Sequence, residues 1–181
     1  SDVYKRQMPY EKVSNDRAEF KDAEAKVKET INKILSIKGT RTVDELHREL
    51  GLLIWDYCGM SRTKEGLTSA REKVRALRNE FWTNVKVVGT NEEFNQTLEK
   101  ALRLIDFIEL GELMILDALD RNESCGGHFR EEFQTPDGEA LRNDQEYAYV
   151  AAWEYEQNMH AVLHKEQLKF ENVTPSTRSY K

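Results

Sequence analysis

Between Phe94 and Leu116, apolar side chains recur at helical spacing: Phe94, Leu98, Ala101, Leu102, Ile105, Ile108, Leu113 and Leu116. A stripe this broad cannot be covered by one neighbour, so it belongs at the centre of a helical bundle. Gly89 breaks the chain ahead of it, and Thr90-Asn91-Glu92-Glu93 has the spacing of a capping box. Counted to Asp120, the helix would run about 30 residues, ~45 Å at the usual rise. Three earlier segments can supply partners. From Asp16 to Ile37 the positions Phe20, Ala23, Val27, Ile31, Ile34 and Leu35 form one face, with Gly39 as a C-terminal stop. Thr42-Val43-Asp44-Glu45 is another capping box, opening a helix that places Leu46, Leu50, Leu53, Ile54 and Tyr57 together before Gly59 ends it. A third helix, Lys64 to Asn84, turns Leu67, Ala70, Val74, Leu77 and Phe81 inward.

Beyond Arg121 the period changes. Thr135-Pro136-Asp137-Gly138 is a turn signature, with proline presetting one dihedral and glycine allowing a positive one. Tyr147, Tyr149, Ala151, Trp153 and Tyr155 alternate with smaller or polar residues, and Leu168 and Phe170 alternate similarly. Tyr147–Tyr155 and His164–Val173 therefore pair as a hairpin, against a competing helix over Ala148–Leu163 that the alanine content would suit. Pro175 to Lys181 is an exposed tail. The expected class is mainly α: a bundle of three to four helices followed by a mostly irregular tail with a short β-hairpin. Residues 8–41 read as a connector helix, 42–120 as the bundle, and 121–181 as a glycine turn, hairpin and tail. Ser1-Asp2-Val3-Tyr4-Lys5-Arg6-Gln7 has no signal-peptide apolar core, and residues 1–7 read as the translation of a transposon-end sequencing adapter. As a processing scar they are left out of the fold, which makes Met8 internal and places more protein upstream.

Charge narrows the function. With a formal net charge of −6 over 181 residues, nucleic acid is not expected as a partner, because phosphate binding needs clustered Lys and Arg. The most apolar run, Leu102 to Leu119, carries Arg103, Asp106, Glu109, Glu112 and Asp117, so it does not read as a membrane span. Cys58 and Cys125 lie far apart, fit no metal spacing and point to a reducing compartment.

Most titratable residues read as scaffold. His160 and His164 stand four apart, but a strand removes the helical face they would need to share a metal, and solvated histidines are expected; His47 is expected exposed. Asp106, Glu109 and Glu112 read as a solvated face flanking the apolar stripe, and Glu154, Glu156 and Glu166 have no better claim to acid–base work. Cys125 with His128 three residues on is a weak nucleophile pattern without an orienting acid. Trp55, Tyr57, Phe81 and Trp82 read as core or interface. What remains is the polar run Arg121-Asn122-Glu123-Ser124-Cys125-Gly126-Gly127-His128-Phe129-Arg130-Glu131-Glu132-Phe133. Two adjacent glycines permit a sharp turn and a close approach to a neighbour, and Arg121, Glu123, His128 and Arg130 can orient a loop or anchor a second domain through charge-assisted hydrogen bonds.

That run resembles the R-x-E-S-R-G-A-H-x-R-x-D/E-[FY] signature in the C-terminal domain of the flavoprotein subunit of succinate dehydrogenase and fumarate reductase. Leu46 to Arg62 is similar to that family's L-x-x-x-M-W-x-x-x-G-x-x-R helix and turn, Leu98 to Leu119 to its long last helix, and Leu168–Val173 with Thr177–Tyr180 to its closing strand and R-x-Y ending. The likeness covers roughly residues 42–181, with 8–41 resembling the connector out of the flavin domain. Cys125 replaces the usual Arg and Gly127 the usual Ala, and the W-x-x-H-T pattern is missing in that form, which places the chain on a menaquinone-linked bacterial branch.

The resemblance implies an intact enzyme that interconverts succinate and fumarate on FAD and sends electrons through iron–sulfur centres to quinone. It implies that FAD, the flavin-linking His and the dicarboxylate residues lie in an N-terminal part, since no G-x-G-x-x-G occurs here; the catalytic, cofactor-binding and metal sets of this stretch are then empty. Arg121, Glu123, Ser124, Gly126, Gly127, His128 and Arg130 become inter-domain docking residues. Implied partners are the chain's own FAD-binding and capping domains, the iron–sulfur subunit and, indirectly, a cytochrome b membrane anchor, on the cytoplasmic face of a bacterial inner membrane. Two alternatives stand: an L-aspartate oxidase-like C-terminal domain, and a free-standing helical interaction module without a redox role.

Overall fold

The computed structural model describes residues 13–156 and 160–176. The adapter-like start and the Arg178-Ser179-Tyr180 ending lie outside the described residues. Four long helices dominate: α1 (Ala18–Ser36), α2 (Val43–Cys58), α3 (Lys64–Asn84) and α4 (Gln96–Asp120). Two-residue strands β1 (Arg41–Thr42) and β2 (Val85–Lys86) pair in parallel and tie the start of α2 to the end of α3. One turn of helix, α5 (Asp144–Tyr147), precedes an antiparallel pair, β3 (Tyr149–Glu156) and β4 (His160–Gln167). The mainly α architecture with a hairpin after the bundle is as the sequence predicts.

The core lies where α2, α3 and α4 meet. Leu46 and Leu50 of α2, Leu67, Val74, Leu77 and Phe81 of α3, and Leu104, Ile108 and Ile115 of α4 are all buried. Each such side chain contributes about 1.5–3 kcal/mol by leaving water. Caps set the helix starts. Thr42 accepts from the Glu45 amide while the Glu45 carboxylate accepts from the Thr42 amide, the reciprocal capping box.

Three expectations about the helices need correction. The central helix begins at Gln96 rather than Asn91, because Asn95 caps it by accepting from Leu98 N at 3.0 Å, while its amide group donates to Val88 O and Thr90 O. Thr90 therefore sits in the loop, and Phe94, left ahead of the helix, is 88% exposed. On α1 only Ile34 is fully buried, with Ile31 and Leu35 packed against the core; Phe20 and Val27 are exposed because only the last turns of α1 reach the bundle. Gly39 does not stop α1, whose C-cap is Ile37. It lies against the end of α3, where an added Cβ would fall 1.9 Å from the Asn84 carbonyl oxygen.

The hairpin is shifted from the expected Tyr147–Tyr155 and His164–Val173 pairing. Tyr149 is opposite Gln167 and Glu156 opposite His160, a register that α5 fixes by occupying the residues Val173 would otherwise face. Tyr149, Ala151 and Trp153 turn inward on β3, and Trp153 Nε1 donates to Asp117 of α4 at 2.7 Å. Leu168 and Phe170 fall past β4 and are exposed.

The largest departure is electrostatic. Glu112, expected on a solvated face, is buried under α3, where Arg71, Arg75 and Arg78 form one helical edge. Arg75 Nε donates to Glu112 at 2.7 Å and Arg78 donates to its other oxygen. Burial would push this carboxyl up, but the two guanidinium hydrogen bonds outweigh it and hold the group below the usual carboxylate range. Replacing Glu112 with Gln leaves Arg78, itself largely covered, without its counter-charge; urea unfolding should show a loss of about 2 kcal/mol. Arg75→Ala, at a half-exposed partner, should cost less than about 1 kcal/mol. Equal losses would mean that burial is not what gives the cluster its strength.

Candidate functional site: the glycine turn

α4 ends at Asp120, and the chain turns back under it. Cys125 and His128 exchange backbone hydrogen bonds, Cys125 N to His128 O at 2.8 Å and His128 N to Cys125 O at 3.1 Å, closing a two-residue turn over Gly126-Gly127. Gly126 has φ of +60°, a left-handed value that strains most side-chain-bearing residues, so glycine is favoured there. Both glycines are exposed, and a Cβ added at either would meet no atom within 4 Å.

Below that tip, the polar side chains are engaged within the domain. Arg62, in the turn between α2 and α3, donates its amide to Phe129 O at 3.1 Å and accepts from Glu131 N at 2.9 Å. Its guanidinium covers the end of α2, donating Nε to Cys58 O and Gly59 O. Arg130 is 1% exposed; it donates Nη1 to Ala118 O near the end of α4 and Nε to Glu132. Glu132 also accepts from the Lys64 amide at the start of α3. Ser124 Oγ donates to Arg130 O and accepts from Arg130 N, which pins the strand under the turn.

Arg121 and Glu123 bind the tail. Arg121 donates to Glu123 at 2.7 Å and to the carbonyls of Tyr147 and Tyr149, while the other Glu123 oxygen accepts from Asn143 N. Among the seven residues singled out, Arg121, Glu123, Ser124, His128 and Arg130 thus converge on one network, and Gly126 and Gly127 stand at its surface. Sequence reasoning assigned no role here to Arg62, Glu132 or Asn143. Arg62 was visible as the Arg of the helix-and-turn pattern; nothing in the spacing marked the other two.

His128 shows how little freedom the network leaves. Its Nδ1 lies 2.7 Å from Arg62 Nη1, a group that can only donate, so Nδ1 accepts and the ring is neutral. Nε2 then carries the proton and donates to Arg121 O at 2.9 Å. Burial, reinforced by the guanidinium groups of Arg62, Arg130 and Arg121, lowers the His128 pKa against the contrary pull of the Arg121 carbonyl. With both ring nitrogens engaged, it cannot serve Cys125 as a base.

These residues do not fit a flavin. Dinucleotide binding uses free amides at a helix N-terminus to hold the pyrophosphate. Here the starts of α2, α3 and α4 are covered by Thr42, Thr63 and Asn95 respectively, and the uncapped start of α1 has no glycine-rich loop ahead of it. No step of flavin chemistry is assigned to them.

The unfolded chain takes up a proton at this His near pH 6.5, whereas the folded chain resists. Stability from His128 is therefore complete above about pH 6.5 and falls as the pH drops toward the lower folded-state value. Urea midpoints at about pH 7.5 and 5.5 should differ more for the parent chain than for His128→Gln. An identical difference would show that His128 is not the titrating group.

A family model described as the fumarate reductase flavoprotein C-terminal domain matches residues 47–180. An uncharacterized FAD-dependent oxidoreductase of Methanocaldococcus jannaschii is 34% identical over 112 residues, covering 62% of this chain and 20% of its own length. The succinate dehydrogenase flavoprotein subunit of Rickettsia bellii is 26% identical over 147 residues, covering 81% of this chain and 22% of its own length. The chain thus spans about a fifth of these relatives. A solved quinol–fumarate reductase with menaquinol molecules shares the fold over 91% of this chain and 28% of its own, with a TM-score of 0.76 at 22% identity. The chain belongs to the family of C-terminal domains of fumarate reductase and succinate dehydrogenase flavoprotein subunits.

Proposed function

We propose that this chain is the helical support of a flavoprotein subunit whose intact enzyme interconverts succinate and fumarate on FAD and passes electrons through iron–sulfur centres to quinone. The observation that carries this reading is the family match over residues 47–180, which takes in most of the bundle, the glycine turn and the tail together. The extent of that match through the tail favours the dehydrogenase over an L-aspartate oxidase-like domain or a free-standing module. In this reading FAD and the residues that move the hydride and proton belong to the remaining four-fifths of the subunit. Catalytic, cofactor-binding and metal roles are absent from the present stretch.

Docking falls to the glycine turn. Arg121, Glu123, Ser124, His128 and Arg130 fix its backbone from below, so Gly126 and Gly127 can present a bare, rigid tip to the flavin domain. Rigid presentation lowers the ordering cost of association. The iron–sulfur subunit would lie across the same assembly, with a cytochrome b anchor reached through it, the whole sitting peripherally on the cytoplasmic face of a bacterial inner membrane. The quinol named for the solved structural neighbour supports the quinone end of this scheme.

Purified alone, the chain should be colourless and should not reduce fumarate; yellow flavin retained through purification would sink the reading. Gly127→Trp adds bulk into open space at an ordinary backbone angle. Co-expressed with the flavin-binding part of the subunit, it should weaken capture at least about tenfold while circular dichroism stays unchanged. Unaltered capture would remove the turn from the interface.

A further inference from the structure

A cavity of about 170 Å³ lies between α3, α4 and the β3–β4 pair, away from the glycine turn. Leu113 and Leu116 of α4 and Trp153 of β3 give it apolar walls, Ala161 closes it from β4, and Arg71 of α3 stands at its edge. Arg71 is the unsatisfied member of the arginine cluster. Glu112 is occupied by Arg75 and Arg78, leaving Arg71 Nε 3.6 Å from the nearest carboxylate oxygen. That nitrogen is buried without a hydrogen-bond partner, while the Arg71 side chain as a whole is about a third exposed. Three guanidinium groups thus face Glu112, and Glu109 on the cavity wall offsets only part of the excess.

We propose that this cavity binds a small carboxylic acid with an apolar body. Its carboxylate pairs with the guanidinium of Arg71, whose planar fork matches the two oxygens. The body lies on Leu113, Leu116 and Trp153. A second carboxylate would lie beside Glu109 and Glu112 on the same walls, with Tyr155 and His160 as its polar neighbours besides, so a dicarboxylate binds more weakly than the monoacid. The proposal is independent of the docking role of the turn and stands or falls separately.

The probe is 4-methylpentanoate, titrated into the isotope-labelled 181-residue chain and followed by NMR at the Trp153 indole N–H, which now donates to Asp117. A saturable shift is expected, with 4-methylpentan-1-ol and succinate each binding at least about tenfold more weakly. Arg71→Met should weaken the acid by a similar factor. Ala161→Leu, which fills the cavity and keeps Arg71, should abolish the shift. Equal binding of the alcohol, or no saturable change at Trp153, overturns the proposal; both comparisons need no variant. Binding of the acid unaffected by Arg71→Met, or succinate binding as tightly, also overturns it.

Discussion

Arg130 joins the two halves of this molecule. Its backbone neighbours pair with Arg62 in the α2–α3 turn, its guanidinium reaches the carbonyl of Ala118 near the end of α4, and its own carbonyl is held by Ser124. A guanidinium at 1% exposure is tolerable only because these acceptors and Glu132 surround it. Without that anchor the segment after α4 would have no fixed path. Arg121, Glu123 and Asn143 carry that path on to the tail, and Trp153 adds a separate tie from the hairpin to Asp117 of α4. Bundle and turn meet at this buried side chain, while the hairpin is also held to α4 through Asp117 and Asp120.

The same pattern recurs at Glu112. In each case one buried charged group faces partly exposed charge, three guanidinium groups at Glu112 and Glu132 alone at Arg130, and those partners keep enough water contact to limit their own desolvation. The two centres differ in balance. Around Arg130 the guanidinium donates to Glu132 and to the Ala118 carbonyl, whereas at Glu112 cations outnumber the carboxylate and Arg71 Nε is left without a hydrogen bond. A saturated centre fixes structure, and an unsaturated one beside a cavity leaves chemistry available. The family signature belongs to the first kind.

How much of this was legible in the sequence depended on whether the signal was periodic. The inward faces of α2 and α3 followed from spacing, as did the reciprocal cap at Thr42 and Glu45. Alternation at Tyr149, Ala151 and Trp153 was enough to choose strand over helix, but the register was not, because α5 takes up the residues ahead of β3. Glu112 was misassigned for a physical reason. On its own helix it does borders the apolar stripe, and only Arg71, Arg75 and Arg78 on a different helix make its burial affordable. Those three fall on one edge of α3, a basic stripe that could have announced a buried acid opposite. Phe94 failed differently: Asn95 offered a better cap than Thr90, and the helix start moved past the phenylalanine.

The glycine turn carries a general consequence for signatures of this kind. Five of its seven marked residues are engaged by backbone or side chains of the same domain, so their chemical type is set by folding rather than by reaction. His128 must be neutral because Arg62 can only donate to it, and a neutral ring with both nitrogens engaged neither moves a proton nor binds a metal. What the network delivers outward is therefore shape: two bare glycines, one in a left-handed conformation, held at a fixed height above Arg130. Cys125, standing where the resembling signature has Arg, sits beside that tip without a side-chain hydrogen bond to the network. In the docking role proposed for this turn, the contact would rest on close backbone approach at Gly126 and Gly127.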